Sequence, residues 1–288
     1  MTSPPEYLII GHVTFDLTSD GIFLGGAGFY SSLTLSKMGQ RVALLTSGVT
    51  SEFKQHLDQL EAVVNVPSRV TTTFENWHSC GTRMQKIHSL ASGIRKQDVP
   101  TTWRKIPTVL LSPVANEIDP SIVDLFVNSS IAISPQGWMR KWGNDGMIRQ
   151  SKWDTKPSFL YNTQVVVFSH MDIPPHSVGY SDNLSCSVLI ITQGSDGAHL
   201  RWGNNWFHIP SYPAIQVDPT GCGDVFIAAY LVRYNETKHP LQSALFASCA
   251  GSLCAEGSGH ISIPNRSDVI NRMKQFPKLT VKPVPRPN

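Results

Sequence analysis

Long hydrophobic runs, paired cysteines and concentrated charge are all missing from this 288-residue chain. No stretch approaches eighteen consecutive apolar residues, so no segment is expected to cross a membrane as a helix. The opening MTSPPEYLIIGHV has no basic flank and no extended apolar core, so it does not read as a signal peptide. The five cysteines, Cys80, Cys186, Cys222, Cys249 and Cys254, include no Cys-x-x-Cys pair, and the ten histidines stand at no zinc spacing. Free thiols in a reducing compartment are expected, which points to the cytoplasm. Charged residues make up 16%, with 24 Lys and Arg against 21 Asp and Glu, a net charge of +3. No Lys/Arg stripe interleaved with aromatics is present, so the partners expected are small molecules and not nucleic acid or membrane. Mild basicity suits an anionic ligand.

What is present is 41% hydrophobic residue, enough for a folded α/β core with a small appendage. EYLIIGHVTFDL reads as a buried strand and RVALLTSGV as a second. Between them, AGFYSSLTLSKMG places Phe29, Leu33, Leu35 and Met38 near one helical face, with Gly39 as a stop. TVLLSPV, SIAISPQGW, QVVVFSHMDI and SVLIITQGSDG are further short strands ending in polar or glycine residues, and DPSIVDLFVN is a helix candidate between two of them. Such alternation predicts parallel strands with crossovers, and ligands bind at the carboxyl ends of such strands. Helices are predicted at roughly 222–235, 240–256 and 266–275. The Thr- and aromatic-rich stretch around 68–90 predicts two extended pieces about Cys80-Gly81, half-exposed. One domain is expected over 1–276, with candidate lid elements near 13–24 and 68–90. The Pro-rich, basic 277–288 reads as a flexible tail.

One stretch concentrates chemistry: VDPTGCGDVFIAAYL, residues 217–231. Gly221 and Gly223 let backbone amides approach a ligand, and a helix starts there, which makes an anion site. Asp224 has two readings. It is a cap that balances the helix dipole, or a base held beside a bound phosphate, accepting the proton of an attacking hydroxyl while amides hold the phosphoryl group. The stretch is not a P-loop, since no Gly-Lys-Ser/Thr follows.

DPTGCGD resembles the Asp-x-Thr-Gly-Ala-Gly-Asp signature of the ribokinase/PfkB family of carbohydrate and nucleoside kinases. GGAGFYSSLTLSKMG resembles the family's diglycine-helix motif, and TQGSDGAHL its Thr-x-Gly-x-x-Gly nucleotide segment. The three occur in order, and the similarity runs over about residues 6–275. The resemblance implies a three-layer α/β sandwich, a central mainly parallel sheet with a small β-sheet lid. It implies ATP and Mg2+ as cofactors and, as in some relatives, a monovalent cation near the anion hole. It makes Asp224 the catalytic base and Gly221, Cys222 and Gly223 the anion hole. Cys222 stands where alanine is usual. Asp16, Gly25 and Gly26 would meet the acceptor, with Asp218 beside them. Thr192, Gly194, Gly197 and Thr220 would line ATP. Tyr30 replaces a ribokinase asparagine, which, with the VDPTG form, is closer to the inositol-kinase-like branch. Where many members have Asn-x-x-Glu, this chain has Ser169 to Asp172, so Asp172 would reach magnesium through water, with altered metal dependence.

Three further residues carry open readings. Arg140 is a phosphate contact or a solvated arginine beside Trp138 and Trp142. Asn76 and Arg83 contact the acceptor or only decorate lid strands. The expected function is therefore ATP-dependent phosphorylation of a hydroxyl on a sugar or polyol such as myo-inositol. A nucleoside kinase is the alternative, as is a ligand-binding or regulatory protein with weak turnover. The sequence separates neither the acceptors nor a monomer from a homodimer.

Overall fold

The computed structural model describes residues 4–79, 82–153, 160, 162–174 and 184–287. In chain order, β1 (Tyr7–Ile10) runs into the hairpin β2 (Thr14–Thr18) and β3 (Gly21–Gly25), then α1 (Ala27–Lys37), β4 (Val42–Gly48) and β5 (Ala62–Pro67). A second hairpin, β6 (Thr72–Ser79) and β7 (Thr82–Ser89), precedes β8 (Thr108–Leu111) and β9 (Ser130–Ile133). A short ribbon of β10 (Arg140–Lys141) and β11 (Arg149–Gln150) leads to β12 (Thr163–Ser169), β13 (Val188–Thr192), β14 (Ala198–Trp202) and β15 (Asn205–Ile209). Then come α2 (Cys222–Thr237), α3 (Pro240–Cys254), α4 (Arg266–Gln275) and β16 (Lys282–Val284).

The main sheet has the order β16-β15-β14-β13-β12-β9-β8-β1-β4-β5. Its strands from β5 to β13 are mutually parallel, and β14, β15 and β16 are antiparallel additions. Neighbouring residues of a strand face opposite sides, so a strand buried on both faces must be apolar throughout. That is why β1 reads YLII with every residue buried. Tyr7 and Ile9 join one core with Phe29, Leu33 and the apolar faces of α2 and α3. Leu8 and Ile10 join the other, with Trp103, Ile122, Phe126 and Trp138.

The first face is covered by α1 to α4, the second largely by 3-10 turns. The predicted helix at DPSIVDLFVN is one of these turns, Pro120–Leu125. Asp119 caps it through Ser121 N at 2.9 Å, and only Ile122 of the segment is fully buried, too little apolar face to extend it.

The second sheet, β3-β2-β6-β7, is built from the two hairpins. Its extended pieces match the sequence expectation, while the predicted turn residues Cys80 and Gly81 lie outside the described residues. The predicted flexible tail differs from the structure. Residues Lys282–Val284 pair with β15, with Val284 opposite Trp206. Leu279 and Val281 pack on the first core and Val284 on the second, so apolar docking orders a segment whose composition reads as loose. Among the described residues, no helix is long and apolar enough to cross a membrane.

Candidate active site

The polar ends of the parallel strands converge. Asp16 follows β1, Arg140 follows β9, Asp172 follows β12 and Thr192 ends β13, with Ser169 and Thr192 in register on adjacent strands. Asp224 enters from the first turn of α2. Its carboxyl is pushed up to about 7, chiefly by burial. Arg140 opposes the shift, and Asp172 and Asp16 add to it. Asp16, Arg140, Asp172 and Asp224 therefore share one electrostatic space, brought together from positions far apart in the chain.

The loop before α2 is shaped by its own side chains. Asp218 Oδ1 accepts from Thr220 N at 2.9 Å, and Oδ2 accepts from Gly259 N at 3.4 Å and Ser258 Oγ at 3.5 Å. Asp218, expected at the acceptor, thus has both oxygens committed to holding the loop against the segment after α3. Thr220 takes part in the same turn through its amide. Gly221 caps α2 with φ of 78° and ψ of −7°, left-handed backbone that suits glycine. The Cys222 amide donates to Pro219 O at 3.2 Å, so one of the three expected anion-hole amides is engaged within the loop. The expected Gly223 amide lies in the first turn together with that of Asp224, where a helix provides no internal acceptor.

Tyr30, expected among the acceptor residues, is packed beneath the anion loop. It is 2% exposed, and a Cβ added to Gly221 would lie 2.3 Å from its ring. Its aromatic face is the floor under the glycine turn. Burial, then the Asp218 carboxylate, raise its hydroxyl well above the ordinary tyrosine range, so it stays neutral.

On the acceptor side, Asn76 Nδ2 donates to Asp16 Oδ1 at 3.1 Å, and Gln85 Nε2 donates to Asn76 Oδ1 at 2.8 Å. This relay fixes the Asp16 carboxylate from the second sheet. A Cβ at Gly25 would stand 2.1 Å from Asp16 Oδ2, and one at Gly26, where φ is 89°, would stand 2.5 Å from His12 O. The diglycine is what lets the hairpin close over Asp16. Arg83 lies on β7 opposite His78, and its side chain is outside the described residues.

On the donor side, Thr192 Oγ1 donates to Phe168 O at 3.4 Å, and the Thr192 carbonyl meets His170 Nδ1 at 3.1 Å. Gly194 (φ 58°) opens on empty space, whereas a Cβ at Gly197 (φ 86°) would stand 2.1 Å from Ile209 O. Gly194 leaves room for a ligand, and Gly197 serves the turn. Asp172 accepts from Gln136 Nε2 at 3.1 Å and from Ser169 N at 3.0 Å. Among the described residues, no group of three His, Cys, Asp or Glu stands ready to ligate one ion. Oxygen donors with their geometry already fixed fit a hydrated magnesium held through water, not a protein cage.

Glu117 is the residue sequence reasoning missed. It is 5% exposed and accepts from Val114 N (3.0 Å to each oxygen), Ala115 N (2.7 Å) and His12 N (3.3 Å). It welds the ends of β1 and β8. The turn it holds presents Val114 O to Arg140 Nη1 at 2.9 Å, and Arg140 also lies 5.7 Å from the centre of the Phe74 ring. A carboxylate just past an apolar strand, as in LLSPVANE, was the only signal available. Glu117→Ala leaves three buried amides unpaired and is expected to cost about 2–4 kcal/mol. Denaturant unfolding checks this, and the same variant should lose activity in kcat more than in KM as Arg140 loosens.

Residues 182–266 match the family model described as pfkB family carbohydrate kinase. An inositol 3-kinase of Zea mays is 25% identical over 65% of this chain and 46% of its own length, so the chain spans about half of that relative. An inositol 3-kinase of Arabidopsis thaliana is 26% identical over 88% of this chain and 74% of its own. A solved pyrophosphate-dependent kinase of the ribokinase family, complexed with a pyrophosphate analogue and myo-inositol, superposes with a TM-score of 0.77. It is 18% identical and covers 92% of this chain and 99% of that one. At that identity the likeness speaks for the fold.

Proposed function

We propose, from the membership of this chain in the ribokinase/pfkB family of carbohydrate kinases, that it transfers the γ-phosphoryl group of ATP to a hydroxyl of a cyclic polyol, with myo-inositol the leading acceptor. The observation that carries this reading is the meeting of Asp224, poised near neutral pH at a helix start, with Asp16 across the strand ends. Asp16, steadied by Asn76 and Gln85, accepts hydrogen bonds from acceptor hydroxyls. Asp224 takes the proton of the attacking hydroxyl. A base in the helix mouth also places the nucleophile where the first-turn amides and the helix dipole meet the transferring phosphoryl group. Arg140 offsets part of the charge that three carboxylates and a polyphosphate bring together.

Magnesium, when bound, would supply positive charge against the donor phosphates. Asp172 and Ser169 would orient its water shell. The second sheet serves as a lid that excludes water once the acceptor is in place. Relatives named as inositol 3-kinases support the choice of acceptor.

The donor admits a second reading, because a structural neighbour uses pyrophosphate. Ile215 and Val217, 84% and 63% exposed, precede the Asp218 loop and offer apolar surface that a nucleotide base would cover and pyrophosphate would not. ATP is therefore favoured. The test is a matrix of ATP and pyrophosphate against myo-inositol, ribose, fructose and adenosine, with and without magnesium. We expect magnesium-dependent ATP consumption stimulated most by myo-inositol. Stimulation by adenosine alone would make it a nucleoside kinase, and no stimulation by any acceptor would leave a binding protein.

A further inference from the structure

We propose that Cys222 and Cys254 form a reversible disulfide that disables the anion loop when a hydroperoxide reaches it. The effect on turnover rests on the kinase reading above, while the disulfide itself does not. Cys222 is the first residue of α2, between the two loop glycines, and Cys254 is the last residue of α3. The two helices pack along their lengths. Gly251 lies one turn before Cys254, on the same face of α3. A Cβ placed on it would stand 3.5 Å from the Cys222 carbonyl oxygen, so that face looks onto Cys222.

The chain segments that carry the two thiols are tied together: the Val217 and Asp218 amides donate to Ala255 O, one residue beyond Cys254, at 2.8 and 3.2 Å, and each thiol shifts the acidity of the other. Both line the same polar knot. Cys222 Sγ is 4.0 Å from Asp218 O, and Cys254 Sγ is 3.8 Å from Ser262 Oγ. Ser262 Oγ donates to Gly259 O at 2.7 Å, and Gly259 N reaches Asp218 Oδ2. The pair therefore sits under the joint that shapes the loop.

Access is one-sided. Cys222 is partly exposed, whereas Cys254 is fully buried. A small oxidant meets Cys222 first. Its sulfur attacks one peroxide oxygen, giving a sulfenic acid and one water. The Cys254 sulfur then attacks Cys222 Sγ, the S–O bond breaks, and the departing hydroxide takes the thiol proton as a second water. Two thiols supply the two electrons that reduce one hydrogen peroxide, and a dithiol reverses the step. The neighbouring Cys254, then burial, push the Cys222 thiol up and keep it protonated, so the reaction is slower than at an exposed, activated thiol.

Closing the bond brings the sulfurs to about 2.0 Å. That draws the start of α2 towards the end of α3, while the Tyr30 ring holds Gly221 from the other side. The first-turn amides turn away from a phosphate. The other described cysteines are elsewhere: Cys249 donates to Val269 O, and Cys186 lies beside Arg201.

The test treats the full chain with hydrogen peroxide, blocks remaining thiols, and maps linked peptides by mass spectrometry alongside ATP–magnesium binding. The expected result is a 2 Da loss in intact mass, a Cys222–Cys254 linked peptide, and at least tenfold weaker ATP binding, all reversed by dithiothreitol. Cys254→Ser, and Cys254→Val should the serine variant fold poorly, are expected to bind ATP normally and to keep that binding through peroxide. The proposal is overturned if Cys222 stops at a sulfinic acid, if the link joins another cysteine, or if the linked protein binds ATP unchanged. Because the link is read without turnover, failure of the kinase reading would leave this result standing.

Discussion

Asp224→Asn is expected to lower kcat by about 10²–10⁴-fold, the range a positioned general base contributes, while donor binding changes little. Asparagine keeps the shape of the side chain at the first turn of α2 but cannot accept the proton. The pH dependence separates this role from a cap. With the carboxyl held up to about 7 by burial and by Asp172 and Asp16, kcat/KM of the native protein should rise with pH to about 7 and then level. In Asp224→Asn that limb should vanish. Stability moves the opposite way. The folded-state value lies above the ordinary 3.8, so the unfolded chain gives up its proton first, and the native fold loses stability between about pH 4 and pH 7. The variant escapes that loss, so above pH 7 it should unfold at higher denaturant than the native protein, with the difference closing towards pH 4. A mere cap at the helix start predicts the reverse: a variant weaker at neutral pH and barely slower. Steady-state kinetics and denaturant unfolding across pH distinguish the two.

Gly221→Ala is the second large effect. At φ of 78° an L-residue costs about 1–2 kcal/mol. The added methyl would also stand 2.3 Å from the Tyr30 ring, which is packed too deeply to swing aside. Overpacking of this kind adds about 1–3 kcal/mol. The loop has one cheaper escape, to lift Gly221 off the ring and abandon the turn, which scatters the first-turn amides. We therefore expect donor affinity to fall at least tenfold together with a large loss of stability. Pairing the change with Tyr30→Leu should recover part of the stability by removing the clash, but not the strain at φ. Calorimetric donor titration and thermal unfolding of the single and double variants check this. An alanine variant with native affinity would show that the glycine turn is dispensable.

Much of this arrangement was legible before any fold was known, and for identifiable reasons. β1 is a continuous apolar run, and β4 and β13 begin as one, because both faces are covered; α2 and α3 show themselves as long apolar stretches, and α4 as an amphipathic one behind its cap Asn265. Gly26 and Gly221 are demanded locally by positive φ, and Gly25 by its close approach to Asp16 across the hairpin. What stayed hidden depends on partners distant in sequence. Tyr30 reads as a pocket residue because it follows the diglycine, yet only the approach of α2 decides that its ring goes under Gly221. Glu117 is unremarkable until β1 and β8 lie side by side and add the His12 amide to those of Val114 and Ala115 in its own turn. The 3-10 turn at Pro120–Leu125 and the strand β16 likewise depend on what they pack against, not on their own pattern.

The outer strands of the long sheet bear on how the molecule behaves among its own kind. One margin is Lys282-Pro283-Val284, and the other, β5, ends at Pro67. A proline offers no amide to an incoming strand, and a lysine on a margin carries charge that another copy would have to bury. The largest array of backbone hydrogen bonds in the protein thus stops at borders that discourage growth by one more strand, and crowding alone gives it little tendency to extend from molecule to molecule.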